Sequence, residues 1–369
     1  MATRTLLIFF LAGASLFAQK PARNVILFLG DAGGIPTLNA ASIHGYKEPR
    51  ALFIQKMPHI GLSETSSANS WVTDSAAGMT AIVTGQKTDN GVLSEAPPTA
   101  KDADGAALKT ILEYAEEHGL ATGVVSNMNM ADATPAACYA HVNSRKKMGE
   151  IFAQIWKPRF GDGVDVVLGN GRAKLLESTK ELGIDLEKDL TASGRAFEGS
   201  LDAIPAGSRR VVALADDDGF DVDAATSKAI EILSRNPKGF FLMVEWDLHP
   251  SKPERCLDTV VKFDRLIQKT ANRMSGNTLV LFTADHSFDF RVLSGKKGSD
   301  LKLPLGPNVS KAGTLTEEKP AVAIGTSHSG EEVLVAAQGP GSDKVSGIMA
   351  NTDLFQVMMS AFGWQADPR

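Results

Sequence analysis

The chain is poor in cysteine: Cys138 and Cys256 are the only two in 369 residues. A disulfide-dense scaffold is thereby excluded as its source of stability. The two fall in different segments of helical patterning and read as small buried hydrophobes. Long apolar runs are also missing. Beyond Ala18 no stretch is long and apolar enough to span a bilayer. There is no basic run interleaved with aromatics, and the formal net charge is -5, which argues against nucleic acid as a partner. Internal repeats and low-complexity tracts are absent, and no shift of composition asks for a second domain.

What remains is ordinary globular sequence. Hydrophobic residues make up 43% of the chain, ample for a core, and the length fits one large α/β domain. Only the N-terminus departs from this. Met1 to Arg4 is short and basic, Leu6 to Phe17 is apolar, and the small Ala18 precedes Gln19. That three-part order predicts a secretory signal peptide over 1–18, its apolar run too short for a stable span; the competing reading is a buried N-terminal strand. The mature chain, 19–369, is then one domain, periplasmic or secreted, with no stable membrane span after cleavage.

Asn24 to Leu29 is a largely apolar run that stops at Gly30-Asp31, the pattern of a buried parallel strand with a polar residue at its carboxyl end. The pattern recurs at 122–126, at 165–168, at 240–244 before Glu245, at 278–283 before Ala284-Asp285-His286, and at 332–337 before Gly339-Pro340-Gly341. Helical patterning falls between, at 106–117, 224–233 and 257–273. Residues 177–209 and 294–320 read as surface excursions, the second a loop leading to Thr326-Ser327-His328-Ser329. The alternation predicts an α/β fold with a mainly parallel central sheet and helices on both faces. Such sheets bind ligands at the carboxyl ends of their strands. Here those ends carry Asp31, Glu245, Asp285 and His286.

Within 72–88, Asp74-Ser75 ends an irregular stretch and small helix-compatible residues follow, from Ala76 to Ala81. Ser75 falls at or next to a helix N-terminus, where orphan N–H groups and the dipole favour an anion. A serine there is either a cap or a nucleophile whose pKa a bound metal lowers. Of the seven histidines, His249, His286 and His328 stand beside strand-end carboxylates or polar loops, whereas His44, His59 and His118 read as surface or structural. Histidine with carboxylate suits zinc, and all-oxygen sets suit magnesium. Asp132 and Thr134 can face one hard cation or cap a helix before Pro135. Arg145 is either a two-pronged phosphate clamp or a solvated surface arginine.

Together these segments resemble the alkaline phosphatase family over essentially all of 22–362. The resemblance is carried by Gly30-Asp31, by Val72-Thr73-Asp74-Ser75-Ala76-Ala77-Gly78 and by Asp132-Ala133-Thr134-Pro135-Ala136-Ala137. It continues through Ala140-His141-Val142-Asn143-Ser144-Arg145, Ala284-Asp285-His286, Ser327-His328-Ser329 and Asn351-Thr352-Asp353. It implies a single catalytic domain over 19–369 that hydrolyses small phosphate monoesters through a phosphoserine at Ser75, with two zinc ions and one magnesium. Arg145 would hold the non-bridging oxygens. Asp31, Asp285 and His286 would bind the zinc that activates Ser75. His249 and His328 would bind a second zinc that stabilises the leaving oxygen and then activates water. Asp31, Thr134 and a glutamate would bind magnesium, with Asp132 close by. The family is commonly dimeric, so a homodimer is the assembly the resemblance implies.

One segment departs from the family. There the strand-end Glu is followed five residues later by Asp and four after that by His, whereas here the run is Glu245-Trp246-Asp247-Leu248-His249, about five residues shorter. Counted from Phe240-Phe241, Glu245 matches the magnesium ligand; counted back from Phe263-Asp264, it falls on the zinc-ligand Asp. Either Asp247 substitutes at the zinc site, or the magnesium site is lost or reduced. The family's Asp-His-Glu-Thr-Gly-Gly is also Asp285-His286-Ser287-Phe288-Asp289-Phe290 here, which changes the floor of the cleft. Two alternative functions stand beside the phosphatase: a catalytically weak metal- or phosphate-binding relative, and a phosphodiesterase of the same superfamily. A sulfatase is disfavoured, because Ser75 is not followed by the Pro and Arg its maturation needs.

Overall fold

Strand β1 (Asn24–Asp31) explains the architecture. Val25 to Leu29 are fully buried. Successive side chains of a strand point to opposite faces. Val25, Leu27 and Leu29 enter one apolar cluster, and Ile26 and Phe28 enter another. A strand apolar on both faces needs a covering layer on each; burying each such side chain contributes about 2 kcal/mol.

The structure, a computed structural model, describes residues 20–99, 103–216, 220–274, 276–304 and 321–367. The expected signal peptide and 305–320 of the expected loop lie outside the described residues. The further strands are β2 (His59–Ser63), β3 (Ala121–Asn129), β4 (Val166–Asn170), β5 (Ala196–Glu198), β6 (Val211–Ala215), β7 (Phe240–Asp247), β8 (Thr278–Thr283), β9 (Ser287–Val292), β10 (Val322–Ser329), β11 (Val333–Gln338) and β12 (Gly347–Met349). Among the described residues ten strands form one sheet in the order β12-β2-β11-β8-β1-β7-β3-β4-β6-β5, and β9 pairs antiparallel with β10. β1 lies parallel to both β7 and β8.

The helices are α1 (Ile35–Tyr46), α2 (Ser75–Thr84), α3 (Ile111–Glu117), α4 (Ala133–Ala136), α5 (Met148–Ala153), α6 (Arg172–Glu181), α7 (Leu186–Ala192), α8 (Val222–Leu233), α9 (Pro253–Arg273) and α10 (Asp353–Phe362). α2, α3, α4 and α10 cover the face of Leu27 and Leu29; α1, α8 and α9 cover the face of Phe28. The mainly parallel sheet with helices on both faces is therefore as expected. Among the described residues no helix is long and apolar enough to cross a membrane. Cys138 and Cys256 are buried, unpaired thiols.

Four local expectations are corrected. β11 is antiparallel to β8 and β2, so its glycine-rich end lies at the opposite rim from Asp31. His328 sits on β10, not in a loop, because β10 pairs with β9 across a register shift between Ile324 and His328. Helix α3 begins only at Ile111. There the Thr110 hydroxyl accepts from the Glu113 N–H while the Glu113 carboxylate accepts from the Thr110 N–H, a reciprocal cap that fixes the start. The excursion at 177–209 carries α7, β5 and the end of α6.

His141 is fully buried between elements, Nε2 2.8 Å from Glu113 Oε1 and Nδ1 2.8 Å from the Ser94 carbonyl oxygen. Both neighbours accept, so both ring nitrogens donate and the ring is an imidazolium. Burial opposes the charge, but the Glu113 carboxylate and the Ser94 carbonyl outweigh it and the His141 pKa is raised. The stability this adds is complete below the unfolded pKa of about 6.5 and is lost as pH rises through the folded value. The wild-type melting temperature should therefore fall on going from neutral to alkaline pH. His141→Gln should melt lower at neutral pH and show a flatter fall. Parallel pH profiles for the two proteins would contradict this.

Candidate active site

The alternation that fills the core also builds the site. Val25, Leu27 and Leu29 lead to Asp31; Phe241 and Met243 lead to Glu245 and Asp247; Leu279 and Leu281 lead past Thr283 to Asp285. The apolar members all lie in the cluster beneath α2. The carboxylates that follow at even spacing leave the strand ends on that same face. Asp31 is level with Asp247, and Glu245 is level with Leu29 on one side and Ser126 on the other.

Helix α2 supplies the serine. Asp74 is its N-cap: Oδ1 accepts from the Ala77 N–H at 3.1 Å and from the Gly91 N–H at 3.0 Å. The capping role thus belongs to Asp74, and Ser75, the first helical residue, presents its Oγ 3.2 Å from His286 Nε2. A Cβ on Gly78 would stand 2.8 Å from the Asp285 carbonyl oxygen. The bare glycine lets α2 lie directly on the strand end that carries Asp285 and His286.

Three overlapping donor groups converge here: Asp31 with Asp285 and His286, Asp31 with Asp247 and His249, and His249 with His286 and His328. His286 Nε2 is 3.3 Å from Asp31 Oδ1 and 3.6 Å from Asp285 Oδ2. His249 Nδ1 is 2.7 Å from Asp247 Oδ1 and 3.7 Å from Asp31 Oδ1, and its Nε2 is 3.3 Å from His328 Nε2. The outer hydrogen bonds set the tautomers. His286 Nδ1 donates to the Ser287 carbonyl and His328 Nδ1 donates to the Thr73 carbonyl, both at 3.1 Å, which leaves each Nε2 lone pair for the cluster. Burial pushes the His286 pKa down to about 4, so the ring is neutral at working pH. Burial first, and then repulsion from Asp285, Glu245, Asp247 and Asp132, lifts the Asp31 carboxyl well above its usual range. Asp31 Oδ1 and Asp285 Oδ2 are buried and take part in no hydrogen bond.

Arg145 bridges two carboxylates, donating from Nη1 to Asp74 Oδ2 at 3.1 Å and from Nη2 to Asp132 Oδ1 at 2.8 Å. Asp132 also caps α4, on which Thr134 is buried. Glu245 is fully buried, accepts from the Ser126 hydroxyl, and is raised by burial and by the charges of Asp132, Asp247 and Asp285. The structure thus separates the two candidates of the short segment: Asp247 stands with His249, and Glu245 with Ser126.

Sequence reasoning did not single out Asp74 or Ser126 as partners, nor the contact made by Phe288. Asp74 adjoins the serine, and Ser126 shares the alternation of β3 with Val124, so both were within reach. Phe288 packs edge-on against His249, ring centroids 5.4 Å apart. Nothing in its neighbours along the chain signals that contact. His44 pairs with Asp258 at 2.8 Å and His118 stacks on Trp364 at 4.0 Å, away from the cluster.

A parallel sheet whose carboxyl rim gathers a helix-terminal serine, three histidines and a set of carboxylates is the architecture of a metal-dependent phosphoesterase. The chain belongs to the alkaline phosphatase family: the model described as "Alkaline phosphatase" matches residues 22–196 and 221–316. It is 31% identical to the alkaline phosphatase of Escherichia coli strain K12, over 94% of this chain and 87% of that one. It is 28% identical to the streptomycin-6-phosphate phosphatase of Streptomyces griseus, over 93% and 91%. The solved alkaline phosphatase of the Antarctic bacterium TAB5 superimposes with a TM-score of 0.75 at 25% identity, covering 94% of this chain and 100% of that one. A variant of that protein has been solved with magnesium in a site called M3.

Proposed function

We propose that this chain is a zinc-dependent phosphate monoester hydrolase that works through a phosphoserine at Ser75. The observation that carries the reading is the Ser75 hydroxyl, set 3.2 Å from His286 Nε2 beside buried carboxylate oxygens that no hydrogen bond satisfies. Such a donor set fits cations. Asp31, Asp285 and His286 would hold a zinc ion next to Ser75. Asp247, His249 and His328 would hold a second, with Asp31 between the two. Asp31, Glu245 and Thr134, with Asp132 close by, would be the all-oxygen set for magnesium. When bound, the zinc ions supply the charge that ionises the serine and the hydrolytic water and that stabilises the leaving oxygen.

The chain's own residues do the rest. Ser75 Oγ gives its proton to solvent and bonds to phosphorus while the phosphorus–ester oxygen bond breaks on the opposite side, the departing alkoxide taking a proton from water. Arg145, held straight by Asp74 and Asp132, presents its donors to the non-bridging oxygens. Water then displaces Ser75 from phosphorus, returning the serine and releasing phosphate. The signal-peptide pattern expected over 1–18 supports export to the periplasm or the medium, and a homodimer is the assembly expected of the family. The alternative of a catalytically weak or inactive relative rests on the shortened 245–250 segment; Asp247 beside His249 favours the enzyme reading over it.

Purified mature chain supplied with zinc and magnesium should release phosphate from an aryl phosphate at alkaline pH, faster than from the matching diester. It should retain two zinc ions and yield a trapped phosphoserine. One retained ion with no phosphoserine, or faster diester cleavage, would overturn the reading. Arg145→Ala should lower kcat/KM about a hundredfold, the loss of a two-pronged charged contact, and weaken inhibition by phosphate in step. Metal analysis of that variant should be unchanged; an unaltered phosphate inhibition constant would refute the clamp.

A further inference from the structure

The ladder between β3 and β7 ends at Ser126 and Glu245. β7 continues to Asp247, level with Asp31 on its other side. The Asp247 N–H therefore lies beyond the last backbone rung that β3 offers. Over the same stretch the register of β3 against β4 shifts, between Val125 and Asn129. A side chain replaces the missing rung: Asn127 Oδ1 accepts the Asp247 N–H at 2.9 Å. Asn127 is itself held. Its carbonyl accepts from Asn170 Nδ2 at 2.9 Å, and the next residue, Met128, donates its N–H to Ser126 Oγ at 2.9 Å.

This brace falls where the chain is about five residues shorter than the family pattern. Three backbone donors fix the short segment. The Asp247 N–H goes to Asn127, the Leu248 N–H to the Asp31 carbonyl at 3.0 Å, and the His249 N–H to Asp247 Oδ1 at 3.0 Å. Of these three acceptors only Asn127 stands outside the converging donor groups. Asp247 Oδ1 in turn meets His249 Nδ1 at 2.7 Å, so whatever sets the height of Asp247 also sets that of His249. We propose that Asn127 is a positioning residue for the His249 half of the site, whose amide takes over the support that a longer segment would give Asp247. This inference rests on the reading that Asp247, His249 and His328 hold a second zinc ion.

The test is zinc titration of the metal-free protein in competition with a chelating dye. Wild type should bind two ions. Asn127→Leu keeps the volume and removes the acceptor. It should weaken one ion about tenfold or more and leave the other within about twofold, as expected of a group that orients a ligand without touching the metal. Asn127→Ala should give the same split. Asn127→Asp keeps an acceptor oxygen and should bind both ions at least as tightly as wild type. Asn127 is only half-buried, so the metal-free melting temperature of Asn127→Leu should stay within about 3 °C of wild type. Two ions in wild type whose affinities Asn127→Leu and Asn127→Ala leave unchanged, or weaken equally, would overturn the positioning role alone. So would a loss that Asn127→Asp shares. Fewer than two ions in wild type would sink the two-zinc reading, and this inference with it.

Discussion

Ser75→Ala is expected to slow phosphate release about a thousandfold and to abolish phosphoserine, with metal content unchanged. The argument is geometric. Ser75 Oγ faces His286 Nε2 at 3.2 Å from the first turn of α2. The cap of that helix is the Asp74 side chain, so the alanine variant keeps its fold and its Arg145 anchor. The remaining rate would come from water attacking phosphate bound between Arg145 and the metal positions. Rapid acid quench after mixing with substrate measures the phosphoserine directly. A variant that still turned over near the wild-type rate would show that Ser75 is only part of the helix start.

Asp247→Asn should be the next most damaging change, lowering activity about a hundredfold with loss of about one zinc ion per chain. Asp247 Oδ1 is 2.7 Å from His249 Nδ1, and its backbone N–H is pinned by Asn127. An amide in its place offers a neutral oxygen in a cluster that needs charge to hold a divalent ion. Glu245→Gln is the contrasting change. Glu245 is engaged with Ser126, so its loss should leave zinc in place and remove the response to magnesium. Metal stoichiometry and a magnesium titration on the two variants separate the roles. Zinc lost from Glu245→Gln and kept by Asp247→Asn would reverse the assignment.

Much of this was legible in the sequence because buried parallel strands announce themselves twice. Runs such as 240–244 are apolar on both faces, and the polar residues that end them mark the rim where ligands bind. The choice between Glu245 and Asp247 resisted counting along the segment, since loop length only shifts an alignment. Strand alternation puts both on the α2 face, and what divides them is height: Glu245 is level with Ser126, and Asp247 is level with Asp31 one pleat further out. The direction of β11 was not legible, because an apolar run reads the same in a parallel and an antiparallel neighbour. His328 was misplaced for a related reason. Gly325-Thr326-Ser327 has the composition of a loop, yet the ladder to β9 resumes at His328 after its register shift. The start of α3 was misjudged although Thr110 and Glu113 stand at capping-box spacing.

The order of the strands also governs how the chain reaches this state. β1 starts at Asn24, yet its neighbours in the sheet start far along the chain, at Phe240 and Thr278. The central strand must therefore wait, both edges unpaired and both faces apolar, until β7 and β8 are available. Long-range parallel pairing of this kind folds slowly, and bare strand edges invite association with other chains. A polypeptide that ends before Thr278 has no partner for one side of β1, and its expected fate is aggregation or proteolysis. Holdase protection of the nascent chain, more than any single contact in the finished molecule, should limit how much active protein a cell can accumulate.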